Sequence, residues 1–362
     1  MKAVVFREHG GSEVLETTDL PTPEPGRGEV RIRIEAVAMN HLDLWVRGGL
    51  PGPPLEMPHL LGSEMVGVVE ALGEGSQSSG VEGPDGAPAL LGLYNEPIFE
   101  GQRVLVSPML SCGRCEYCLQ DWDGLCVEGF KIFGAQIPGG YCEEKAVPAE
   151  ACIPLEPDDD PVAWAAVPLT FLTAYHMLHT RAKLVAGETV LVHAAGSGVG
   201  SAAIQIAKRA GATVYTTAST QEKIDKGMEL GADVGIDYTE HDFDEVIKEL
   251  TGGRGVDVVF EHVGAEIFDA NLKSLARGGR LVTCGATTGP EVELNLRYLF
   301  VKQITLLGSY MGGRRELLEV VRGVRDGEFV PVVDRTFPLE KAPEAHRYLE
   351  DRRQFGKVVL LP

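Results

Sequence analysis

Residues 189–211, TVLVHAAGSGVGSAAIQIAKRAG, narrow the choice of fold more than any other stretch of the chain. The run 189–195 is apolar and β-branched with scarcely any alternation, the pattern of a strand buried on both faces. From Val199 the apolar positions Val199, Ala202, Ala203, Ile206, Ala207 and Ala210 recur at helical spacing, opposite Lys208 and Arg209. Between them lie Gly196, Ser197, Gly198 and Gly200, so a strand turns sharply into a helix. Such a turn leaves the first helical N–H groups unpaired at the positive end of the helix dipole, which suits the pyrophosphate of a dinucleotide. Ser197 takes the middle place where the usual fingerprint has glycine. The same letters also serve an ordinary strand-to-helix turn, so the motif needs its context.

That context is a strand–helix rhythm continuing through residues 212–218, 234–237, 256–263, 279–286 and 304–310. Six such strands predict a doubly wound parallel sheet, with ligand contacts at the strand ends. The fold class expected for the chain is α/β, a β-rich domain joined to this Rossmann sheet. Residues 156–310 are read as the dinucleotide domain, and residues 1–155 with 311–362 as the second domain.

The first segment looks β-rich: residues 2–6, then 29–40, where Val30, Ile32, Ile34 and Ala36 alternate with polar neighbours. Residues 76–101 are rich in Gly, Pro and Ser and read as a surface insertion. Residues 154–161, PLEPDDDP, read as a linker whose three aspartates also suit the start of the next helix. The chain has 53 acidic against 33 basic residues, a formal net charge of −20, which repels phosphate backbones and anionic membranes. No nucleic acid and no membrane partner is expected, and the absence of a long apolar run or secretory leader gives the cytoplasm as the expected location.

Four of the seven cysteines, Cys112, Cys115, Cys118 and Cys126, are separated by two, two and seven residues. That spacing lets one loop wrap a tetrahedral ion, and four thiolates leave no open position for substrate, so one structural zinc is expected. An iron–sulfur cluster is the competing reading, against which the long last gap counts.

At this point the chain resembles the medium-chain dehydrogenase/reductase superfamily, which joins a Rossmann domain to a GroES-like β domain carrying such a cysteine lobe. The resemblance rests on the lobe, the glycine-rich turn, EGQRV at 100–104, GGY at 139–141 and GKVVL at 356–360. Zinc alcohol dehydrogenases of the superfamily hold a second, catalytic zinc. Here the first-ligand position is Asn40, the family's Gly-His-Glu reads Gly62, Ser63, Glu64, residues 168–175 contain no cysteine, and Leu42 replaces the relay hydroxyl. An amide and a hydroxyl cannot reproduce an N/S zinc shell, so the catalytic zinc is expected to be absent. What remains is similar to the quinone oxidoreductase branch, with its NxxD turn at Asn40 and Asp43 and its LTAY at 172–175.

The resulting expectation is reduction of quinones or activated alkenes by hydride transfer from NADPH, with Asn40, Ser63 and Tyr310 shaping the pocket. NADP(H) is expected because Ala218, Ser219 and Thr220 stand where an NAD-selecting acid would, with Lys223 nearby, and Tyr238 resembles a phosphate-contacting tyrosine of the quinone reductases. The other candidate cofactor contacts are Asn40, His41, Thr173, Gly196, Ser197, Gly198, Val199, Gly200, Val263, Gly285, Ala286, Gly308 and Ser309. Two alternatives stay open: an alcohol or aldehyde dehydrogenase recruiting metal through His41, Asp43 or Glu64, and a cofactor-binding regulatory protein. The partner is a small-molecule substrate, and the resemblance implies a homodimer or homotetramer.

Overall fold

The computed structural model describes residues 1–52, 54–74 and 80–362, and these form two compact units. The first comprises Met1–Leu169 and Pro331–Pro362, the second Thr170–Val330.

In the first unit the strand Glu29–Ala38 is the hub of a seven-stranded sheet. Its alternating residues Val30, Ile32, Ile34 and Ala36 are buried, as a half-buried strand requires. It pairs antiparallel with Glu64–Leu72, bringing Ala38 opposite Glu64. On its other side it pairs with Lys357–Leu361, bringing Ala38 opposite Val359. Residues from the beginning and end of the sequence are thereby held beside one another at one end of this strand. The chain then enters the helix His41–Gly48 through Asn40.

The second unit carries six parallel strands in the spatial order Val234–Asp237, Thr213–Ala218, Thr189–Val192, Val256–Glu261, Leu275–Thr283, Thr305–Gly308. Taken in chain order this is 3-2-1-4-5-6, the doubly wound arrangement whose switch point lies beside the first strand. Leu191, Val259 and Leu281 of its strands pack with Ile247 and Leu272 of its helices in one buried cluster. Among the described residues, no helix is long and apolar enough to cross a membrane.

Two boundaries differ from the sequence expectation of 156–310 for the dinucleotide domain. Residues 156–169 belong to the first unit, because Asp160 caps the short helix Pro161–Ala165 through the N–H of Val162, and that helix packs on the sheet strands Glu29–Ala38 and Glu64–Leu72. Residues 311–330 belong to the second unit. There Glu316 bonds His176, Gln205 exchanges hydrogen bonds with Val330, and Phe329 lies 5.8 Å from Phe171. The 76–101 stretch is also more than a surface insertion. Residues 75–79 lie outside the described residues, but Leu90–Leu91 and Pro97–Ile98 pair as a hairpin, Ile98 is fully buried, and the N–H of Leu93 bonds the carbonyl of Cys152.

Candidate functional site

The turn after Thr189–Val192 is fixed by its own hydrogen bonds and backbone conformation. Ala194 adopts a positive φ of 53°, and Ser197 caps the helix Gly198–Arg209 by accepting the N–H of Gly200 at 2.9 Å. The middle serine of the motif is therefore the N-cap, satisfying one orphan donor itself. Gly200 is required sterically: a Cβ there would lie 2.3 Å from the carbonyl oxygen of Ala194. Gly196 and Ser197 form the turn, and Gly198 and Val199 open the helix.

At the end of Thr213–Ala218, Thr220 caps the helix Gln221–Glu229 by accepting the N–H of Lys223 at 3.3 Å, with Ser219 between. Tyr238 is 45% exposed and its N–H bonds Ala218. The register pairs Ala218 with Asp237, a carboxylate the sequence reading passed over. Its Oδ1 accepts the N–H and hydroxyl of Thr239 at 2.9 and 2.7 Å.

Further along the sheet a buried carboxylate organises the strand ends. Oε1 of Glu261 accepts the N–H groups of Val263 and Gly264 at 2.6 and 2.7 Å, and Oε2 accepts the hydroxyl of Thr283 at 2.8 Å. Gly285 approaches closely enough that a Cβ would meet the His262 carbonyl at 2.9 Å, and Ala286 follows it in the same loop. Gly308 accepts from Arg181, while the Ser309 hydroxyl is buried without a hydrogen-bond partner. Thr173 is buried, its hydroxyl 3.8 Å from Sδ of Met311, and Tyr310 is 51% exposed. His193, also passed over, is buried beside the turn, with Nε2 2.6 Å from Oδ1 of Asn271 and Nδ1 3.1 Å from the Thr217 hydroxyl.

In the first unit, Asn40 sits within a buried polar cluster. Nδ2 of Asn40 donates to Oε2 of Glu64 at 2.9 Å, while Nζ of Lys357 donates to Oδ1 of Asn40 at 2.6 Å and to Oε2 of Glu64 at 2.5 Å. Oε1 of Glu64 accepts the N–H of Leu169. Ser63 is fully buried, and its hydroxyl has no hydrogen-bond partner. Asp43 accepts the N–H groups of Asn40 and Gly62 at 2.7 and 2.9 Å, and burial pushes its carboxyl up to about 6. Gly62 is needed because its φ is 94° and a Cβ would strike the Tyr141 ring at 2.6 Å. His41 opens the helix, its ring 6.2 Å from that of Trp45. Lys357 lay in the GKVVL motif, but its side chain was not singled out from the sequence.

Tyr141, His346 and Arg47 continue the buried network. Arg47 can only donate, so Nδ1 of His346 accepts from it at 2.9 Å, and Nε2–H donates to the Tyr141 hydroxyl at 3.2 Å. Burial, with the Arg47 charge, holds His346 down to about 3, and burial does the same for His193. Unfolded histidines take protons near 6.5. Below that pH the unfolded chain binds more protons than the native one, so stability falls as pH drops from 6.5 toward 3. Each imidazole accounts for about 2 kcal/mol lost at pH 5 relative to pH 8. Asp43 opposes this between about 4 and 6, because its raised folded pKa favours the native state on protonation. Thermal melts of wild type and His346→Gln are therefore expected to converge as pH is lowered from 8 to 5. A constant separation across that range would contradict the neutral buried imidazole.

The cysteine lobe is independent of both polar sites in composition. The Sγ atoms of Cys112, Cys115, Cys118 and Cys126 all lie within 4.8 Å of one another, and this is the one group of three or more His, Cys, Asp or Glu residues so arranged among the described residues. Backbone N–H groups of Cys112 and Cys115 point at Sγ of Cys126 and Cys112 at 3.4 and 3.3 Å. Donor set and convergence fit a tetrahedral zinc. His41, Asp43 and Glu64 form no comparable group, and Glu64 and Asn40 instead face an ammonium.

Residues 198–325 match the zinc-binding dehydrogenase family, and residues 26–157 match the alcohol dehydrogenase GroES-like domain. A 2-haloacrylate reductase of a Burkholderia species is 32% identical, the alignment covering 99% of this chain and 98% of that one. A quinone oxidoreductase of Pseudomonas aeruginosa is also 32% identical, over 100% of this chain and 99% of its own. Among solved structures, a crystal structure of an NAD-dependent alcohol dehydrogenase superposes with a TM-score of 0.90 at 44% identity, covering 100% of both chains.

Proposed function

The chain belongs to the medium-chain dehydrogenase/reductase superfamily and is a nicotinamide-dependent oxidoreductase, and we propose that it reduces quinones and activated alkenes with NADPH, without a catalytic metal. The observation that carries this reading is the cluster at Asn40. Where metal-dependent relatives need nitrogen and sulfur ligands, this chain offers an amide, a hydroxyl and a carboxylate already bonded to the ammonium of Lys357. A cation at that position disfavours a second one, so a metal does not fit.

When bound, the reduced nicotinamide supplies the hydride. Addition of hydride to the electrophilic carbon of an enone or quinone moves charge onto the conjugated oxygen, which then needs hydrogen-bond donors. Asn40 offers Nδ2–H, of which Glu64 takes one hydrogen, and Ser63 offers a hydroxyl with no partner in the fold. Solvent supplies the proton that completes the product. A plain alcohol has no such polarisation, and no Lewis acid here would lower the pKa of its hydroxyl. In the second unit Gly196, Ser197, Gly198, Val199 and Gly200 would receive the pyrophosphate, and Ser219, Thr220, Lys223 and Tyr238 the 2′-phosphate end. The strand ends at Val263, Gly285, Ala286, Gly308 and Ser309, with Thr173, complete the contacts proposed within this unit. One structural zinc is proposed for the cysteine lobe.

A specific observation favours a second reading. The solved structure at 44% identity is that of an NAD-dependent alcohol dehydrogenase, and Asp237 stands in register with Ala218. A panel of quinones, enones, aldehydes and alcohols, run with NADPH and NADH, separates the two. Turnover of quinones or enones with NADPH is expected, and Lys223→Glu is expected to lower the NADPH preference about tenfold, the effect of losing one charge-assisted contact. Chelator-sensitive alcohol oxidation would overturn the substrate assignment, and a wild-type preference for NADH would transfer the ribose role to Asp237.

A further inference from the structure

Asn40 is held by two groups of opposite character. Lys357 can only donate and an ionised Glu64 can only accept, so the amide has one compatible orientation, Oδ1 toward the ammonium and Nδ2 toward the carboxylate. Lys357 and Glu64 are themselves joined, and both are buried, Lys357 at 4% and Glu64 at 0% exposure. Glu64 is fixed in turn by the N–H of Leu169 at 2.6 Å. Neither partner can swing away, because an unpaired buried charge is costly. An ammonium on the amide oxygen also draws electron density from the amide nitrogen, making Nδ2–H a stronger donor.

We propose that Lys357 is a positioning residue for Asn40: with Glu64 it locks and polarises the side-chain amide, so that the remaining Nδ2 hydrogen is presented to the oxygen on which charge develops. This rests on the role proposed above for Asn40. It assigns to residues 64 and 357 an effect on turnover that neither has through contact with substrate. All three side chains belong to the first unit, whose antiparallel pairings bring them together.

The test is a mutant cycle read by steady-state kinetics on an enone, with NADPH saturating. Asn40→Ala is expected to lower kcat about 10²-fold, the effect of removing one oxyanion donor. Lys357→Ala is expected to lower kcat about tenfold with KM within about twofold, and propylammonium at tens of millimolar is expected to restore part of the loss, which a merely structural lysine would not allow. Lys357→Ala strands Glu64, so a second variant, Lys357→Met with Glu64→Gln, removes both buried charges together and serves if the first does not fold. In either background Asn40→Ala is expected to cost far less than in wild type, because the amide is no longer held. A full 10²-fold loss in that background, or equal rates for wild type and the charge-free double variant, overturns the proposal. No effect of Asn40→Ala in wild type instead removes the underlying reading of Asn40, and this inference falls with it.

Discussion

Gly200→Val is expected to leave the protein folded and nearly unable to bind its cofactor. A Cβ at this position lies 2.3 Å from the carbonyl oxygen of Ala194 and 2.7 Å from Oγ of Ser197, both of which shape the turn. The backbone carbonyl cannot rotate aside without moving Ala194, which already holds a φ of 53°. The turn must widen, and the helix N-terminus retreats from the position at which its N–H groups would meet a pyrophosphate. Losing two charge-assisted hydrogen bonds at about 1.5–3 kcal/mol each weakens binding by roughly 10²–10⁴-fold. Titration of NADPH by quenching of protein fluorescence, with circular dichroism as the check on folding, measures it. Affinity within a few-fold of wild type would show that the turn is not the phosphate site.

The parts of this molecule that are local in sequence were legible from it. The strand, glycine-rich turn and helix of residues 189–211 follow from an apolar run without alternation that gives way to a period of 3.6, and the later strands of the parallel sheet are set off from their helices by the same contrast. The cysteine lobe was legible for a similar reason, since short gaps alone bring four thiols together. Asn40 and Ser63 could be singled out as chemistry that does not suit zinc. Their partner could not: Lys357 is 317 residues from Asn40, and only the pairing of the last strand with Glu29–Ala38 makes them neighbours. His193 and Glu261 were missed because each looks like an isolated polar residue at the end of an apolar run, and Asn271, inside the helix Phe268–Ser274, meets His193 only when that helix packs on the sheet. The helix start within residues 154–161 was legible as well, while the unit to which that helix belongs was not. Proline and aspartate are the composition of a linker, but Asp160 and Pro161 are equally the cap and first position of a helix.

Cys115→Ser is expected to lose zinc and to melt well below the wild type, yet to retain turnover per folded molecule. The four sulfurs come from one loop with no regular strand or α-helix inside it; its segments Cys118–Gln120 and Asp123–Leu125 are single 3₁₀ turns. Such a loop buries little of its own: Leu119, Leu125 and Val127 are exposed, at 73%, 52% and 65%. Apolar burial is therefore a weak source of order here, and metal binding energy, about 10–16 kcal/mol in isolated zinc domains, becomes folding energy of the lobe. A serine hydroxyl is a poor zinc ligand at neutral pH, so three thiolates and water would hold the ion far more weakly. None of the groups proposed to meet substrate or cofactor belongs to the lobe, which is why chemistry should outlast stability. Elemental analysis is expected to give one zinc per wild-type chain and less in the variant. Calorimetry is expected to place the variant's Tm lower by more than about 5 °C, the shift set by a few kcal/mol of lost stability. Two zinc ions per wild-type chain, or a folded Cys115→Ser protein without turnover, would show that the metal takes part in the reaction.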